Sequence, residues 1–218
     1  MKSKHYKVED LSDEKRFSLL LSLGMDDIVS FVLKQIRILN PATSVFYSAT
    51  IFSFVYMVHV FLHSVIQGPW GWGIVLFQCF NGFVLWPLLL IPLHELIHAV
   101  IYKLNGAPKI KFGVRPEYYM FYVTADKFVI GRNQFLLVAF GPFLLISGLL
   151  VWCIIFFNPP LMWSFVICLF VHTTMCIGDF ALAGFLMKFR ENEIYTFDDM
   201  ETGISYFYKK DIKEHASP

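Results

Sequence analysis

Ile91-Pro92-Leu93-His94-Glu95-Leu96-Ile97-His98-Ala99-Val100 sets two histidines and a glutamate inside a run apolar enough to cross a membrane. An ionisable side chain in hydrocarbon costs at least ~2.5 kcal/mol on insertion scales, so such groups are retained for something they do. The chain around them is unusually apolar. Of its 218 residues, 56% are hydrophobic and 18% aromatic, and only 16% are charged, with a mean hydropathy of +0.57. A soluble domain carries nearer a quarter charged residues, so the composition points to a mainly α, polytopic membrane protein. The net charge of +1 offers no electrostatic footprint for nucleic acid.

Lys and Arg are absent between Thr43 and Tyr102 and between Gln134 and Met187, where the only acids are Glu95 and Asp179. A span takes ~20 apolar residues, and each stretch is long enough for two. "IQGPWGWG" (66–73) breaks the first and "FNPP" (157–160) the second, which predicts four transmembrane helices at about 43–66, 73–104, 134–156 and 161–187. All 18 basic residues fall outside the short loops: seven in 1–40, six in 103–133 and five in 188–218. The positive-inside rule then puts both termini and the central loop in the cytoplasm. The expected organisation is an N-terminal region (1–40), a membrane domain (43–187) with a cytoplasmic loop at 105–133, and a cytoplasmic tail (188–218). Cys79, Cys153, Cys168 and Cys176 all lie in apolar stretches without disulfide or metal spacing, and read as small buried side chains. No secretory signal pattern opens the chain.

Before the first span, "DDIVSFVLKQIRILNP" spaces Ile28, Phe31, Val32, Ile36 and Leu39 as one helical face, suited to the cytoplasmic membrane surface or to the protein's own cytoplasmic side. The central loop alternates Ile110, Phe112 and Val114 with Lys111, Gly113 and Arg115, then offers "MFYVT" and "KFVI". That pattern predicts two or three short strands directly after the HELIH helix. The tail from Glu191 is polar and mixed in charge, with no chemistry legible in it.

Positions i and i+4 of a helix lie one above the other, so His94 and His98 can aim both imidazoles at one metal ion, with Glu95 beside it to take a proton from water. Pro87 and Pro92 remove helical hydrogen bonds just upstream and can open the helix to water. A catalytic zinc takes a third protein ligand and leaves one position open. Asp179 is the intramembrane acid available for it. His94 lies nine residues before Lys103 and Asp179 nine before Lys188, so in two helices running the same way both sit about 13 Å below one boundary. Glu191, Glu193 and Asp198 from the tail and Cys176, one turn from Asp179, are the rivals. His172 shares the face of Asp179 and either meets substrate or bonds a neighbouring helix. His59 and His63 repeat the i, i+4 spacing without an intervening glutamate, and Gln78 and Asn81 read as interhelical hydrogen-bond partners.

HELIH late in a span, a strand-rich loop after it, and Gly178-Asp179 in a later span together resemble the zincin peptidase family of small multi-pass bacterial membrane proteins. More remotely they resemble the site-2 protease class of intramembrane metalloproteases. The likeness covers most of 73–187. It implies zinc held by His94, His98 and Asp179, Glu95 as general base and acid, and hydrolysis of peptide bonds in membrane or membrane-surface substrates in a bacterial cell membrane. The strands at 109–130 would hold such a substrate as an added strand. A non-catalytic metal-binding membrane protein, a sensor or transporter subunit, is the alternative, although the two intramembrane acids read as one cluster and no internal repeat is evident. A di-iron lipid oxidase ranks below both, because only five histidines remain outside the tails.

Overall fold

The computed structural model describes residues 6–116 and 120–211. A one-turn helix α1 (Val8–Leu11), strand β1 (Phe17–Gly24) and helix α2 (Ile28–Ile36) precede the long helix α3 (Pro41–Gln67). Asn40-Pro41-Ala42-Thr43 starts α3. Asn40 Oδ1 accepts the Ala42 and Thr43 amides at 3.0 and 3.2 Å, and Thr43 Oγ1 accepts the Asn40 amide at 2.9 Å. Pro41 sits in the first turn, where its missing N–H has no helical partner to lose.

Next come α4 (Trp72–Phe80), a π-helical turn (Asn81–Leu85) and α5 (Trp86–Leu104), which run together as one apolar helix of 33 residues. At ~1.5 Å per residue that is ~50 Å, more than the ~30 Å hydrocarbon layer, so the helix must tilt or leave the layer at one end. The widened turn falls where Pro87 would otherwise crowd the carbonyl of Phe83. Asn81 Nδ2 reaches Gln78 Oε1 at 3.4 Å within the same helix, so these two pair with each other rather than across helices as expected.

The remaining helices are α6 (Arg132–Phe156), α7 (Leu161–Met175) and α8 (Ile177–Met187). The expected span at 161–187 is therefore broken at Cys176, and the two pieces are bent by 43°. The local cause is side-chain competition: Thr173 Oγ1 donates to the Leu169 carbonyl and Thr174 Oγ1 to that of Val171, both at 2.7 Å, a back-bonding that bends helices. Among the described residues, three helices are thus long and apolar enough to cross a membrane, and the bent α7–α8 pair gives a fourth if taken as one span. Ile51, Phe52, Leu76, Leu88, Leu137, Leu144 and Ile155 are each more than 60% exposed. Apolar surface of that extent, on helices of this length, suggests a membrane protein.

Strands β2 (Lys111–Arg115) and β3 (Met120–Thr124) form an antiparallel hairpin after α5, with Lys111 opposite Thr124. A short strand β4 (Ile130–Gly131) joins a second, four-stranded sheet with β5 (Ile194–Asp199) and β6 (Ile204–Lys210), in the order β1-β6-β5-β4. Three strands in the central loop match the expectation there. The strands at 17–24 and 194–210 were not expected. The start of the chain and its polar tail are knitted together, Phe17 opposite Lys210 and Gly24 opposite Ile204. One face of this sheet packs Leu23, Ile194 and Phe207 on Phe185 and Leu186 of α8, and the other buries Phe17 and Phe197 beneath Tyr6 and Leu11. Apolar residues on both faces erase the alternation that would mark β1 as a strand.

Helix α2 packs on the protein's own bundle, Phe31 meeting Phe185 at 5.5 Å between ring centroids, while Val29 and Leu33 stay 40% and 49% exposed. A close interhelical contact involves Gly82 of the π-helical turn. A Cβ there would lie 2.5 Å from Ile167 Cβ and 2.8 Å from the Ser164 carbonyl oxygen on α7, and Trp86 Nε1 donates to Ser164 Oγ at 3.0 Å one turn on. Gly82→Leu is expected to destabilise the protein by ~1–3 kcal/mol through overpacking. Thermal unfolding in detergent checks this, with Gly73→Leu, where a Cβ meets nothing within 4 Å, as the neutral control.

Candidate functional site

On α5, His94, His98 and Tyr102 follow one another at four-residue intervals and are all buried. Opposite them, the break at Cys176 lets α8 begin afresh, and its first turn presents Asp179. His94 Nε2 lies 3.2 Å from Asp179 Oδ2, and His98 Nε2 lies 3.5 Å from Asp179 Oδ1. The two Nε2 atoms are 3.1 Å apart. Ligands ~2.0–2.1 Å from a tetrahedral zinc are separated by ~3.3–3.4 Å, so these spacings leave a place for one small cation between the three groups.

The ring orientations fit the same occupant. His98 Nδ1 lies 3.0 Å from the Val138 carbonyl of α6; donating its proton there turns the Nε2 lone pair towards Asp179 and His94, the second-shell bond usual for a metal-bound imidazole. His94 Nδ1 is buried with no partner among the described residues. With two imidazole nitrogens and a carboxylate turned inwards, the donor set suits zinc.

His172 and Cys176 approach His94 from α7, the three ligand atoms lying within 4.8 Å of one another. Both ring nitrogens of His172 already have neighbours, Nδ1 at 3.4 Å from Ser147 Oγ and Nε2 at 3.7 Å from Cys176 Sγ. That arrangement matches the packing role for His172. Among the tail acids weighed as rivals to Asp179, Glu193 is taken up by Tyr195 and Lys210 at 2.8 and 2.7 Å, and Glu191 is exposed. Asp198 does enter the same cleft, at a different point. His59 and His63, with ring centroids 6.4 Å apart, are exposed on α3.

The histidines and both acids open into a cleft of about 540 Å³. Two of its walls come from outside the long helices, the first within the strands expected to hold a substrate and the second not anticipated in the sequence. One is β3, whose Phe121–Thr124 lines the cleft and whose Val123 backbone lies against the Glu95 carboxylate. Over Met120–Thr124 this strand pairs with no strand but β2 among the described residues, so its second edge is free of a neighbouring strand. The other is α2, which contributes Ile28, Val29, Val32 and Leu33. Glu95 is half-buried at this cleft, next in sequence to His94 and able to reach water.

Residues 87–194 match a protein family described as "Putative zincin peptidase". The match takes in α5 with its HELIH sequence, the β2–β3 hairpin, α6, α7 and α8. No curated protein and no solved structure matches the chain.

Purified protein is expected to hold about one zinc per chain, because three ligands and one open position complete a catalytic site. His94→Ala and His98→Ala should each lose most of it, and Asp179→Asn should weaken retention against a chelator by ~10-fold or more. Atomic absorption on detergent-purified variants checks this. Full occupancy in either histidine variant would put the zinc elsewhere.

Proposed function

Starting from the membership of residues 87–194 in the zincin peptidase family, we propose that this protein is a membrane-embedded zinc metalloendopeptidase that cleaves membrane or membrane-surface polypeptides. His94, His98 and Asp179 hold the metal, and Glu95 is the catalytic base and acid. The observation that carries the reading is the convergence of two imidazole nitrogens and one carboxylate at 3.1–3.5 Å beside a glutamate that faces an open cleft. In this reading α7 and α8 form one broken span, giving four in all, with both termini and both sheets on the cytoplasmic side.

Bound zinc would supply Lewis acidity, polarising the peptide carbonyl and making water acidic enough to attack at neutral pH. The remaining work belongs to the protein. A Glu95 carboxylate oxygen takes the proton from the attacking water and returns it to the nitrogen of the leaving amine. Val138 holds His98 in one tautomer through its carbonyl. The free edge of β3 offers main-chain hydrogen bonds to an extended substrate, and the apolar face of α2 across the cleft receives its side chains. Extension is needed because a helical segment hides its own carbonyls from attack. Depth in the bundle favours substrates that are themselves held in the bilayer.

Glu95→Gln separates an enzyme from a metal carrier. It should leave zinc content unchanged while lowering cleavage by roughly 10²–10⁴-fold, read as accumulation of uncut membrane substrates by comparative proteomics of membranes and then with the purified substrate. Unchanged processing would shift the reading to a metal-binding sensor or transporter subunit.

A further inference from the structure

The cleft contains a second polar centre that the proposed hydrolysis does not use. Along β5, Ile194, Thr196 and Asp198 share the sheet face turned to the bundle, and along β6 Ser205 and Phe207 do the same. This face is mostly apolar and covers α8, but its end at Asp198 and Ser205 opens into the cleft. Ser205 donates its hydroxyl hydrogen to Asp198 Oδ1. No Lys or Arg among the described residues pairs with Asp198. The cations nearby are engaged elsewhere, Lys111 by Asp126 at 2.6 Å and Lys127 by Glu201 at 2.7 Å. Thr124, the last residue of β3, adds an independent sign: it is among the residues lining the same cleft, it is only 5% exposed, and its buried hydroxyl has no partner among the described residues.

Two rulers place this centre relative to Glu95. Val123 of β3 lies against Glu95, and Asp126, three residues on, forms an isolated parallel bridge with Asp198. At ~3.3 Å per residue, Asp198 is therefore about 10 Å further along the free edge. On α5, Tyr102 lines the same cleft as Asp198 and lies one turn beyond His98, a rise of ~6 Å. Asp198 thus stands at the end of the groove in which an added strand would lie.

We propose that Asp198, Thr124 and Ser205 form a specificity subsite for a lysine or arginine side chain of the substrate, about three residues from the cleaved bond. This rests on the peptidase reading and adds a substrate class to it. The carboxylate and the unpartnered Thr124 hydroxyl supply acceptors for a cation's several N–H groups, and a charge-assisted bond in a sheltered cleft is among the stronger polar contacts. Burial holds the free Asp198 carboxyl above its ordinary range, a cost that an arriving cation removes. Basic residues are also the side chains that flank the cytoplasmic ends of membrane spans. The inferred substrate is a membrane segment cut near its cytoplasmic end, with a basic residue fixed beside the bond.

The test uses the full-length Glu95→Gln protein in lipid vesicles, so that binding is read without turnover. The probes are fluorescent leucine-rich transmembrane peptides with a single Lys, Gln or Glu moved through successive positions of a short extension. Lys is expected to bind roughly tenfold more tightly than Gln at one position, as suits a sheltered charge pair. Adding Asp198→Asn, which keeps an acceptor for Ser205, should abolish that preference, and Asp198→Lys should transfer it to the Glu peptide. Thr124→Val, as a second variant, should reduce it. Equal binding of Lys and Gln peptides at every position, a preference that survives Asp198→Asn, or no peptide binding at all would overturn the subsite. Zinc content and cleavage by the protein with Glu95 intact are measured alongside. Lys preference without cleavage sinks the peptidase reading and keeps the subsite, and cleavage without Lys preference does the reverse.

Discussion

A carboxylate set between two imidazoles inside an apolar bundle is the constraint on which the rest of this structure depends. Asp179 alone would be too costly to keep in such surroundings, and so would His94 or His98. Together they converge at 3.1–3.5 Å, and a cation held between them, as proposed, would offset the burial of all three. That need joins α5 to α8 and explains why the helix leading to Asp179 breaks where it does. A straight helix through 161–187 would set the direction of Asp179 by the packing of α7. The bend at Cys176 frees α8 to aim its first turn independently.

Around this centre lies a second conflict, between a dry bundle and the water that the proposed hydrolysis consumes. The three donors line an open cleft, and Glu95 is only half-buried there. The walls of the cleft are of different kinds. An edge strand has backbone donors and acceptors to share, whereas α2 presents only apolar side chains. An extended polypeptide could satisfy its backbone on one side and shelter its side chains on the other. The four-stranded sheet closes the end of this groove, and it exists only because the two ends of the chain pair with each other. Regions that look like separate appendages therefore act jointly on the cleft, through Leu23 of β1 as well as Asp198 and Ser205.

Much of this was legible beforehand because hydrocarbon is a demanding solvent. Lack of Lys and Arg over 43–102 and 134–187, with Gly and Pro at the breaks, marks long helices whatever they pack against, and the helices at 41–67, 72–104 and 132–156 lie within two residues of expectation. Four-residue spacing places His94 and His98 on one face by helix geometry alone. The paired strands at 17–24 and 194–210 were hidden because β1 is apolar on both faces and β6 carries its aromatics on both sides. Their signal lies in long-range pairing, which no local pattern encodes.

The sequence by itself determined the membrane-helix class, the HELIH pair and the acid that could join it, since each follows from local composition or from the fixed period of one helix. Only the tertiary structure decided how Asp179 meets both histidines across the break at Cys176, that β3 lies with a free edge beside Glu95, and that a residue from the tail, Asp198, reaches the cleft. Those facts depend on how elements distant in the chain pack together. The packing is set by apolar surfaces such as the contact of Gly82 with Ile167 and of Phe31 with Phe185, whose mutual fit is a property of the folded whole and of no single segment.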